Sequence, residues 1–152
     1  MPFLKCFLAT VIFFAPLAQA TEPHCIPGQV DEFSQKFTSH RTGYYPFNNA
    51  MQGGVLDRKT RPLNTLQDFL KGKASYVSVA MDANPSTGLP YGTKLRIPAV
   101  ELAFNRCIEF RVVDTGGRFK NKGTSKIDVC NDNREDAIKD FTNGVSEVFR
   151  ID

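Results

Sequence analysis

Three aspartates stand where the chain leaves a strand-like run or interrupts an apolar pair. Asp82 follows the run over residues 76–81. Asp114 follows the run over 107–113 and opens Asp114-Thr115-Gly116-Gly117. Asp128 sits inside Lys126-Ile127-Asp128-Val129-Cys130. Carboxylates that share a site cannot all ionise cheaply, because like charge and partial burial raise the pKa of at least one. A carboxyl that keeps its proton near neutral pH can donate it to a glycosidic oxygen. Gly116 and Gly117 carry no side chain, so they permit positive φ and let backbone approach a ligand. In a strand Ile127 and Val129 share one face and Asp128 takes the other. With the two apolar residues in a core, Asp128 points outward. Aspartates at strand ends also bond turn amides, and an isolated D-x-G-G turn is more often structural. The residues alone therefore define an acidic site and no substrate.

The elements that must position these groups are mostly strands. Residues 41–46 read as a first strand ending at Pro46, and 76–81 alternates and is rich in β-formers. Further strands are expected at 94–97, closed by Pro98, and at 107–113, 125–130 and 145–151. Leu89-Pro90-Tyr91-Gly92 has the proline and glycine spacing of a tight turn. Short helices are expected at 31–36, at 65–71 with Thr65 as cap and Gly72 as stop, and at 133–141. Residues 48–62 are rich in glycine, asparagine and charge and read as a long surface loop, a common location for function. Many short strands in one small domain favour a closed β-barrel over an open sheet.

The chain has 152 residues. In residues 1–20 Lys5 is the only charge, 7–17 is apolar except for Thr10, and Ala18-Gln19-Ala20 forms a small-residue cleavage site. That is the pattern of a signal peptide, and its apolar run falls short of the roughly 20 residues a membrane span needs. Secretion or a periplasmic location is expected, with no membrane span after cleavage. The rest divides into an N-terminal extension, 21–40, and one domain, 41–152. Removing Lys5 leaves 18 Lys and Arg against 16 Asp and Glu, a net charge of +2. With no Lys/Arg run longer than two, nucleic acid is not an expected partner. Cys25, Cys107 and Cys130 make an odd set for an oxidising compartment: one internal disulfide plus a spare thiol, or a bridge to another chain. Cys107 with Cys130 is the first pairing expected. No metal or cofactor is expected, because His24-Cys25 alone lacks the four ordered ligands of a zinc site.

Four segments taken in order resemble the three-aspartate (3D) domain of the membrane-bound lytic transglycosylase A family and of small muralytic wall enzymes. They are Val79-Ala80-Met81-Asp82, Leu89-Pro90-Tyr91-Gly92-Thr93-Lys94-Leu95-Arg96-Ile97-Pro98, Val113-Asp114-Thr115-Gly116-Gly117 and Ile127-Asp128-Val129. The ordered match spans residues 76–130, with a looser one at Thr42-Gly43-Tyr44-Tyr45. The resemblance implies a mainly β fold, a six-stranded double-psi β-barrel with one or two short helices. It implies lytic cleavage of the β-1,4 bond between N-acetylmuramic acid and N-acetylglucosamine in peptidoglycan glycan strands. The muramyl 6-hydroxyl closes on C1 and leaves a 1,6-anhydro end, so one carboxyl can act as acid and then base. By position Asp128 matches the acid/base, while Asp114 and Asp82 match the aspartates that shape its pKa and bind sugar. Thr115, Gly116, Gly117, Tyr44 and Thr93 are the expected substrate-binding residues. The chain departs from the family in a longer gap between Asp114 and Asp128 and in Arg118-Phe119 after the glycines. Larger members complete the groove with a second domain; here the loops at 48–62 and 118–124 are expected to form it. The alternative is a non-catalytic, expansin-like cell-wall-binding module that stacks sugars on Tyr44, Tyr45, Phe47 and Tyr91. A secreted interaction protein using the spare thiol is a third reading.

Overall fold

The computed structural model describes residues 24–31, 34–47 and 54–151. The expected signal peptide and part of the 48–62 loop lie outside the described residues. The β-branched and aromatic runs form β1 Gln35–Tyr44, β2 Val77–Ala80, β3 Lys94–Arg96, β4 Phe110–Asp114, β5 Lys126–Cys130 and β6 Gly144–Arg150. The strands lie in the order β1-β5-β2-β4-β3-β6, and β6 pairs back onto β1 to close a barrel. Closure removes the free sheet edges that would otherwise invite aggregation. The β1/β5 and β2/β4 pairs are parallel and the other four antiparallel.

Alternate residues fill the interior. Val77, Val79, Leu95, Phe110, Val112, Ile127, Val129 and Val148 are all fully buried, joined by Leu66, Ile97, Val100 and Ile108 from the connections. Each such side chain contributes about 1.5–3 kcal/mol relative to exposure. A second, smaller cluster of Leu63, Val113 and Cys130 packs against Tyr44, Tyr76 and Tyr91.

Among the described residues three α-helices pack on the barrel. In α1, Leu66–Leu70, the Thr65 hydroxyl accepts from the Asp68 amide; in α3, Arg134–Ala137, Asn133 does the same for Asp136. These caps satisfy amides that have no partner within the helix. The strand at Lys94–Arg96 ends before Pro98 as expected, but a third helix, α2 Pro98–Phe104, follows that was not expected. Pro98 opens it, where its missing N–H costs nothing, and Asn105 ends it in a left-handed conformation at φ 46°. Among the described residues no helix is long and apolar enough to cross a membrane.

Two other expectations are corrected. The first strand begins at Gln35, so Gln35 and Lys36 are strand and not helix, and the barrel starts before residue 41. The reason is the length of β6, which pairs with β1 from Gln35↔Arg150 to Arg41↔Gly144. The disulfide joins Cys25 to Cys107, 82 residues apart with Cα atoms 6.2 Å apart, and leaves Cys130 a buried free thiol. Cys107 precedes β4 and Cys130 ends β5, and β2 lies between those strands, so they are not cross-strand neighbours.

The β2/β4 ladder slips by one residue near its end. Val79 pairs with Val112, but the next residue, Ala80, pairs with Asp114, which leaves Val113 as an extra residue in β4. Strict alternation would put Asp114 on the same side as Phe110 and Val112, in the core. The bulge at Val113 turns Asp114 to the outside instead.

Candidate functional site

The pairings place four residues in one row across the sheet. Thr42 pairs with Asp128, Asp128 with Ala80, and Ala80 with Asp114. Paired residues in a sheet point to the same face, so both carboxyls rise from the outer surface with the Ala80 methyl between them. Neighbouring strands lie about 4.8 Å apart, which sets the two aspartate Cα atoms about 10 Å apart. The small Ala80 side chain leaves a hollow there of about 380 Å³, lined also by Gly43, Tyr44, Tyr45 and residues 115–119. Arg118 and Phe119, the start of the 118–124 loop, are among these lining residues.

The two carboxyls are held differently. Ile127 and Val129 are fully buried and Asp128 faces the hollow. Its Oδ1 accepts a hydrogen bond from the Thr42 hydroxyl. Asp114 Oδ1 accepts from the Thr115 amide at 2.9 Å. Burial lifts the Asp114 carboxyl above its ordinary range; the Thr115 amide, the nearby Tyr44 hydroxyl and Arg58 pull the other way, and Asp57 adds to the rise. The Tyr44 hydroxyl is buried close to Asp114 and Cys130 yet completes a hydrogen bond of ordinary geometry with neither.

Asp82 does not join them. It lies two residues beyond Ala80, past the end of β2, and is enclosed at 3 % exposure. Its Oδ1 accepts from the Asn84 amide at 3.0 Å, and its Oδ2 from the Thr87 hydroxyl and the Gly123 amide, each at 2.9 Å. The Asn84 and Gly123 amides hold this carboxyl below its ordinary range. A Cβ at Gly88 would collide with the Asp82 carbonyl oxygen. Asp82 thus braces the 84–88 turn against the 122–123 loop.

The remaining expected ligands divide similarly. Thr115, Gly116, Gly117 and Tyr44 border the hollow. Neither glycine has the positive φ expected of it; Gly116 is extended at −168°. A Cβ at Gly117 would meet nothing within 4 Å, so the site gains openness rather than an unusual turn. Thr93 lies outside the lining at 2 % exposure, and its hydroxyl donates to the Pro90 carbonyl at 2.8 Å. Tyr91 donates to Asp57 at 2.5 Å, and its ring carries Lys59 and Arg58 at 4.1 and 5.4 Å, away from the hollow. Burial works to raise the Asp57 carboxyl, but hydrogen bonds from Tyr91 and from the Arg61 and Lys59 amides outweigh it and hold the group low. At the lip, Tyr45 meets Phe47 edge-on at 6.2 Å, with Phe47 51 % exposed.

Sequence reasoning missed Thr42 and the role of Ala80. Thr42 shows a signal, since it precedes Gly43-Tyr44 on the first strand. Ala80 shows none, because its value is to be small between two carboxyls that only the pairing brings together. Segment 54–62, expected to help form the groove, does not line the hollow; the Arg58 amide donates a hydrogen bond to the freed Val113 carbonyl at 3.3 Å. Among the described residues no group of three His, Cys, Asp or Glu side chains is arranged to hold a metal ion. What the arrangement offers is a carboxyl that burial favours in its protonated form, facing a second carboxyl steadied by a hydroxyl across a small-residue floor. Neither a family model nor a curated protein matches the chain.

Proposed function

We propose that the hollow cuts peptidoglycan glycan strands as a lytic transglycosylase does. One observation carries the reading: Asp114 and Asp128 reach a single hollow from two strands, and burial favours the proton on Asp114. The motif pattern points to Asp128 as a lone acid/base; the geometry supports sharing the work. Asp114 donates its proton to the glycosidic oxygen as the bond to muramyl C1 breaks. Asp128, steadied by Thr42, faces the positive charge that develops at C1 and takes the proton of the 6-hydroxyl as that oxygen closes on C1. The products are a free N-acetylglucosamine hydroxyl and a 1,6-anhydro end, and return of the proton from Asp128 to Asp114 resets the site.

The two parallel pairs within a closed six-strand ring support the double-psi form of the barrel. The Cys25–Cys107 disulfide, together with the signal-like residues 1–20, supports a secreted or periplasmic location. Tyr45 and the half-exposed Phe47 at the lip favour a second reading, an expansin-like module that holds sugar without cutting it.

Incubation of the mature protein with peptidoglycan, followed by mass spectrometry for anhydro-muropeptides, separates the two. Asp114→Asn and Asp128→Asn are each expected to lower turnover by about 10²–10⁴ with the fold retained. Full turnover in both variants would refute the assignment. Binding by the wild type without product would support the module.

A further inference from the structure

Among the described residues, the buried side-chain polar atoms without a hydrogen bond are Ser39 Oγ, Arg41 Nε, Tyr44 Oη and Ser146 Oγ. Of these residues only Tyr44 borders the hollow. A buried hydroxyl left unpaired is costly, and native structures hold few of them. The backbone leaves Tyr44 little freedom: it pairs with Cys130 in the β1/β5 ladder, and its carbonyl accepts from the Asn131 amide at 2.8 Å. It lies two residues beyond Thr42, hence on the same strand face as the Thr42–Asp128 pair. Its ring packs on the Leu63, Val113 and Cys130 cluster, which fixes the direction of the hydroxyl.

Two groups stand close to that hydroxyl: the Asp114 carboxyl, which lines the same hollow and follows Val113 of the cluster under the Tyr44 ring, and the Cys130 thiol of that cluster. A thiol sulfur is a weak acceptor, and burial keeps this one in its neutral form. The other groups acting on Asp114 are already engaged or lie on a separate segment. Asp57 accepts from Tyr91 and from the Lys59 and Arg61 amides. Arg58 stacks on the Tyr91 ring, and the Thr115 amide already bonds Asp114 Oδ1. The Asp114 carboxylate is thus the strong acceptor within reach of the Tyr44 hydroxyl. We infer that Tyr44 is a positioning residue for Asp114: its hydroxyl donates to the ionised carboxylate and holds it toward the hollow.

The Tyr44–Asp114 pair governs the state of one carboxyl and not which bond is cut, so it is tested without substrate. Carboxyl-¹³C aspartate is introduced into the mature protein and the Asp114 resonance is followed against pH. Tyr44→Phe keeps the ring and removes the donor to the carboxylate. Asp114 is then expected to bind its proton about three- to tenfold more tightly, the worth of one net hydrogen bond, with its midpoint moving up. Cys130→Ala is expected to leave the midpoint within about twofold of wild type, since a neutral thiol is a weak partner. An unchanged Asp114 midpoint in Tyr44→Phe overturns the inference, and so does an equal shift in Cys130→Ala. Should Tyr44→Phe fail to fold, Asp114→Asn reads the same pair from the other side. Without the Asp114 charge, Tyr44 is expected to ionise at lower pH in an ultraviolet titration, and an unmoved phenol overturns the pairing. Absence of anhydro product would defeat the transglycosylase reading and leave this result standing.

Discussion

Replacing Glu101 by glutamine takes the anion away from four donors that converge on it. Glu101 lies in the first turn of α2 and is fully buried. Arg96 on β3 donates to it through Nε and through Nη2, the latter at 2.5 Å. The Gly28 amide donates at 2.9 Å and the Ile108 amide at 3.3 Å. Glutamine keeps the shape but removes the charge and turns an NH₂ group toward donors. Arg96 is left as a cation whose side chain is only 12 % exposed. Breaking one side of a buried pair costs about 3–5 kcal/mol. The lower end applies here, because Arg96 Nη2 keeps the Ile26 carbonyl at 3.2 Å. A loss of about 3 kcal/mol is large against the roughly 5–15 kcal/mol of a typical domain, and for a domain of this size it lowers Tm by about 10 °C. Urea unfolding with the disulfide intact measures the loss directly. Arg96→Met added to Glu101→Gln removes the stranded cation and is expected to restore at least half of it. A cost below about 1 kcal/mol for the single variant, or no recovery in the double, would refute the argument. The consequence reaches the site, because Glu101 ties the Gly28 segment and β3 to the entry of β4, the strand that carries Asp114.

Four further outcomes are expected from the site and its supports. Burial raises the Asp114 carboxyl, so the folded protein holds that proton more tightly than the unfolded chain does. The stability from this group is complete below the ordinary value of 3.8 and is lost as pH rises through the folded value. Asp114→Asn should therefore match wild type in urea at pH 3 and be the more stable of the two at pH 7, by no more than about 1 kcal/mol after solvent screening; a less stable variant at pH 7 would contradict this. On the proposed function, Ala80→Leu should fill the floor between Asp114 and Asp128 and weaken binding to peptidoglycan in a pull-down while circular dichroism stays native, and undiminished binding would remove the hollow from the site. Cys25→Ser opens an 82-residue span and should cost about 4–5 kcal/mol in the chain-entropy account, read as a drop in urea midpoint; Cys130 in the folded wild type should resist iodoacetamide, because its thiol is fully buried.

Much of the fold was legible because it is local. The alternation in Val77–Ala80 and in Lys126–Cys130 names the face each residue takes, and burial of Ile127 and Val129 sends Asp128 outward as the pattern requires. Thr65 and Asn133 announce two helices through their side-chain oxygens, although the second, expected over 133–141, ends at Ala137. The third helix was hidden by Pro98, which ends a strand as readily as it opens a helix. The reach of the disulfide was hidden as well, since Cys25 and Cys107 are brought together by the fold and not by any strand they share.

The sequence by itself determined the strand faces, the caps, the odd thiol count and the presence of an outward carboxyl at Asp128. Only the tertiary structure decided which aspartates meet. By alternation alone Asp114 belongs to the core; the extra residue Val113 turns it out and levels it with Ala80 and Asp128. Asp82, equally prominent in the pattern, is spent on its own turn and the 122–123 loop. The physical reason is that a side chain's face follows from a two-residue period within one strand, whereas its neighbours follow from strand order, register and bulges, which are properties of pairing between segments far apart in the chain.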